Sequence, residues 1–64
     1  MDKIKALDYI TSVLANQIID HSNAAKKNPA LQENTNSAIT KIYDAAEALE
    51  IRYNVSQRVR FLLS

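Results

Sequence analysis

Only one residue in this 64-residue chain interrupts a helix outright: Pro29 is the single proline, and there is no glycine. Glycine supplies the left-handed backbone of tight turns, and proline removes a helical hydrogen bond, so a chain nearly free of both has few places to turn. The rest of the composition agrees. Nine alanines, seven isoleucines and six leucines stand among four aromatics, an inventory that favours helix. The expected fold class is all-α, in one small domain spanning residues 1–64.

Pro29 disfavours helical geometry at Asn28 and suits the first position of a new helix. Asn28 is then an N-cap, and Lys26 and Lys27 lie where positive charge complements a helix C-terminus. The pattern predicts helix 1 over about 3–26, capped by Asp2, and helix 2 over about 29–53. Two helices of similar length joined by a short connection imply an antiparallel hairpin.

Periodicity supports the pair. Ile4, Leu7, Thr11, Leu14, Ile18, His21 and Ala25 step alternately by three and four, a heptad-like seam. Leu31, Thr35, Ala38, Ile42, Ala45 and Leu49 continue it in helix 2, with Ile39, Ala46 and Tyr53 alongside. Helix 1 carries more apolar surface than one partner needs, because Ala6, Tyr9, Ile10 and Val13 widen its arc beyond 180°, against roughly 100° for an ordinary surface helix. That surplus requires a cover, from a third helix or from another copy. Ala6, Tyr9, Ile10 and Val13 are therefore candidate self-association residues, and a homo-oligomeric helical bundle, most simply a homodimer, is expected.

The C-terminal segment reads as a break at Asn54, which tolerates left-handed backbone, and a short third helix over about 56–63 capped by Ser56. Phe61, Leu62 and Leu63 are placed to close the end of the core. Charge also divides here. Residues 1–50 hold five lysines against seven acids, a net −2, whereas residues 51–64 hold three arginines and no acid, a net +3. Arginine beside apolar side chains is the composition enriched at protein interfaces, so Arg52, Gln57, Arg58, Arg60 and Phe61 are candidate partner-binding residues.

Catalytic and cofactor chemistry find little support. Without cysteine there is no thiolate metal site, and without glycine no phosphate-cradling loop. His21, the one histidine, falls on the seam, where a partly buried or register-setting role is expected rather than metal binding or base catalysis. Asp44, Glu47 and Glu50 form a carboxylate stripe at i, i+3 and i+6, which reads as a solvated face. No serine has a histidine at an activating helical spacing. No cofactor, metal or catalytic residue is assigned. The N-terminal residues lack the apolar region of a signal peptide, and no apolar run is long enough for a membrane span; a cytoplasmic location is expected.

Two functions follow from this. The first is a non-catalytic, self-associating protein–protein interaction module, a small regulator or inhibitor that acts by occupying an unidentified protein partner. The alternative is a small DNA-binding protein, since residues 44–63 have a helix-turn-helix cast that would present Gln57, Arg58 and Arg60 to nucleic acid. Against it stand the missing turn glycine, an apparent turn that is too long, and a Val55–Val59 spacing one residue short.

Overall fold

The structure, a computed structural model, describes residues 2–64, and all of its regular structure is helical. Helix α1 runs Lys3–Lys27, a 3-10 turn occupies Pro29–Leu31, α2 runs Gln32–Ala48 and α3 runs Arg52–Leu63. The entry to α1 and the Pro29 junction follow the sequence reading. Asp2 Oδ1 accepts from the Lys5 amide at 2.8 Å, which satisfies one of the four orphan donors at a helix start. Asn28 Oδ1 accepts from the Ala30 amide at 3.2 Å, with Pro29 at the first position of the turn.

The second junction differs from the expected one. Helix 2 was expected to reach about residue 53 and helix 3 to begin near 56; instead α2 stops at Ala48, and Asn54 and Ser56 lie inside α3. The left-handed residue is Glu50, with φ 62°. The Ile51 amide donates to the Ala46 carbonyl at 2.9 Å and the Glu50 amide to the Glu47 carbonyl at 3.0 Å, the paired closing bonds of a Schellman motif. The physical reason lies in Ile51. An unbroken helix would leave it on the polar side of α2. Breaking at Glu50 turns it inward, where it is buried with Val55 and Val59 at i, i+4 and i+8.

The core is small and built from alanine, valine and isoleucine. Ala15, Ile18, Ala46, Ile51, Val55 and Val59 form its buried cluster, flanked by half-buried Leu7, Ile10, Leu14, Ile39 and Ile42. Two threonines are buried within the seam and satisfied there: Thr11 donates to the Leu7 carbonyl at 2.7 Å, and Thr35 to the His21 carbonyl at 3.5 Å, linking α2 to α1. The seam is shorter than expected, since Ile4, His21, Ala45 and Leu49 are all exposed. His21 thus contributes only its backbone carbonyl, and no buried or register-setting side chain. Phe61, Leu62 and Leu63 are also exposed, so the closing of the core falls to Val55 and Val59.

Candidate interaction surface

Helix α3 packs against the first half of α1 as well as against α2. The attachment to α1 is polar at its edge. Arg58 Nη2 donates to Asp8 Oδ1 at 3.0 Å, and Arg58 Nη1 donates to the Ser12 hydroxyl. Asp8 and Ser12 are one helical turn apart on α1, so one planar guanidinium reaches both. Their usefulness was not visible in the sequence, because nothing local says that α3 returns to that flank.

Arg52 is held at the other junction. Its guanidinium pairs with Glu47 at 3.1 Å and lies 5.4 Å from the centre of the Tyr43 ring, a cation–π arrangement across the α2–α3 turn. Arg60, in the last turn of α3, has no ion pair among the described residues, and it is exposed together with Gln57 and Phe61. The five candidate partner-binding residues therefore separate into two tethered arginines, Arg52 and Arg58, and an outward face carrying Gln57, Arg60 and Phe61.

Between α1 and α3 lies an open cleft of about 780 Å³, lined by Ile4, Leu7, Thr11, Ile51, Tyr53 and Phe61, with the Asp8–Arg58 pair at its side. Ile4, Tyr53 and Phe61 are 81%, 74% and 74% exposed, the three most exposed large apolar side chains among the described residues. The sequence pattern places Ile4 on the seam and Tyr53 beside it, whereas both side chains are exposed. The other candidate group sits elsewhere. Ala6, Ile10 and Val13 are half-buried and Tyr9 is exposed, and at about 100° per residue Tyr9 lies roughly 140° around α1 from Ile4.

Among the described residues, no group of three or more histidine, aspartate or glutamate side chains is arranged to hold a metal ion. Asp44, Glu47 and Glu50 are all exposed. Among the described residues, no helix is long and apolar enough to cross a membrane. Comparison with protein-family models, with curated proteins and with solved structures finds no match to this chain.

Proposed function

We propose that this chain is a non-catalytic helical interaction module that works by self-association, α1 and α2 forming an antiparallel hairpin and copies assembling into a helical bundle, most simply a homodimer. In that form it acts as a small regulator or inhibitor by occupying a protein partner. One observation carries the reading: several aromatic and leucine side chains stay outside a small core. The buried hydrophobic residues are alanine, valine and isoleucine only, whereas Phe61, Tyr53, Tyr9, Leu49, Leu62 and Leu63 are exposed. Exposed apolar side chains gathered in one place, as Ile4, Tyr53 and Phe61 are around the α1–α3 cleft, mark association sites. A chain of this size without disulfide or metal also has a thin stability margin, which added burial between copies would widen. Sedimentation equilibrium at micromolar concentration tests it. A dimer of the 7.2 kDa chain is expected, and a monomer persisting to millimolar concentration overturns the proposal.

The DNA-binding reading gains one specific support. The α2–α3 turn is three residues, Leu49–Ile51, with left-handed backbone at Glu50 where such turns commonly carry glycine, and α3 contains no acid. Electrostatics weigh against it. Glu47 and Asp8 already neutralise Arg52 and Arg58, which leaves Arg60 as the unpaired cation of α3. Log affinity for duplex DNA falls by about 0.9 per phosphate contact for each tenfold rise in salt, and useful binding rests on several such contacts. A steep salt dependence of binding to a generic duplex would favour this second reading over the first.

A further inference from the structure

We infer that α3 exchanges between copies: the Leu49–Ile51 turn straightens, and the α3 of one copy packs on α1 and α2 of a second. It takes the place that the second copy's own α3 holds in the closed chain, and the exchange is reciprocal about a two-fold axis. The inference rests on the self-association proposed above and adds the contact through which it occurs.

The turn carries the argument. Leu49, Glu50 and Ile51 join α2 to α3, and Glu50 holds φ 62° although it is not a glycine. No glycine or proline lies between residues 32 and 63, and leucine and glutamate are strong helix formers. The local preference of this stretch is therefore one continuous helix. Nor does any side chain cap the amino end of α3. Straightening takes Glu50 out of the left-handed region and offers the first amides of α3 the carbonyls of residues 48–50. The Ile51–Ala46 and Glu50–Glu47 backbone bonds are exchanged for ordinary i to i−4 bonds, with none lost. Short connections under strain promote exchange of an element between copies.

The occupant follows from what a straightened chain lacks. Ile51, Val55 and Val59 supply half of the buried cluster, and Ala15, Ile18 and Ala46 supply the other half. A chain with α3 swung away exposes both halves to water, and it regains them only by capturing an α3. A second copy carries one of matching pattern. Its valines refill the core, and its Arg58 meets Asp8 and Ser12 of the receiving chain, as Arg58 does within one chain. Reciprocal exchange reproduces the α3 contacts outside the turn while relieving two left-handed residues.

The test uses the full chain. Labelled and unlabelled wild type are refolded as an equal mixture, and isotope-filtered NMR reads contacts between chains. NOEs from the Val55 and Val59 methyls to side chains of α1 are expected between chains at millimolar concentration. A charge-reversal pair gives an independent readout. Asp8→Arg in one chain and Arg58→Asp in another set like charges together within each chain, whereas exchange between the two pairs opposite charges twice. Refolded together, they are expected to exceed the half share of heterodimer that random pairing gives, counted by native mass spectrometry. Glu50→Gly accepts the left-handed turn freely and disfavours continuous helix, so sedimentation equilibrium should show the dimer weakened roughly tenfold or more, in favour of the closed monomer. A dimer without inter-chain NOEs and with heterodimer at the random share overturns the exchange while self-association stands. A dimer that Glu50→Gly leaves equally tight overturns the role of the turn. A wild type that remains a 7.2 kDa species throughout removes both the exchange and the self-association.

Discussion

Glu50 decides where the chain turns the second time, and it does so at a conformational cost. Left-handed backbone costs a residue with a Cβ about 1–2 kcal/mol, while burying an isoleucine returns about 1.5–3 kcal/mol. With Ile51 buried and the Schellman bonds in place, the balance favours the break. It follows that Glu50→Gly relieves the cost and raises stability by about 0.5–1 kcal/mol, a rise of roughly 2–8 °C in thermal midpoint for a domain this small. Glu50→Val, β-branched at the same φ, should lower it by more than 1 kcal/mol. Thermal melts followed by circular dichroism check both, and a glycine variant that melts lower would contradict a left-handed residue 50. The same residue shows why the second junction was hidden. Pro29 announces the first turn through covalent geometry, but glutamate is a good helix former and carries no local signal that a helix ends. Asn54 offers a better left-handed residue on local grounds, and the tertiary demand to bury Ile51 outweighs it.

Helix α3 is held by two kinds of contact of unequal strength. Val55 is fully buried, and truncating it removes two methyl groups and leaves a void. Val55→Ala should therefore cost about 2 kcal/mol, a large share of the few kcal/mol available to a domain of this size. The Arg58 bridge is weaker, because Asp8 is 69% exposed at its side chain and Arg58 35%. A double-mutant cycle over Asp8→Asn and Arg58→Gln should give a coupling of about 0.5–1 kcal/mol, measured by urea unfolding, and a coupling near zero would mean that solvent dissolves the pair. The helices themselves were legible from Asp2, Asn28, Pro29 and the seam spacing, since caps and periodicity are local. The side of α1 that α3 covers was not. Asp8 and Ser12 read as ordinary polar positions until a guanidinium 50 and 46 residues away, respectively, reaches them. For the same reason Arg58 looked like a free binding residue, whereas its charge is already engaged within the chain.

At the scale of the whole molecule, the arrangement leaves a chain whose interior is too modest for its exterior. Only Val55 among the larger side chains is fully enclosed, while Tyr9, Tyr53, Phe61, Leu49, Leu62 and Leu63 remain outside. The sequence carries this imbalance as an over-wide apolar arc on α1, of which Tyr9 stays exposed while Ala6, Ile10 and Val13 are half-buried. If copies join as proposed, association adds to the stability of the fold, which then depends on protein concentration. A tenfold rise in concentration then stabilises the dimer by about 1.4 kcal/mol, while two chains of 64 residues unfold with an entropy near 0.27 kcal/mol/K, so the thermal midpoint should rise by about 5 °C per tenfold. A monomeric fold shows no such rise. Melts across three decades of concentration separate these cases, and a midpoint that stays constant throughout would mean that the small core suffices by itself.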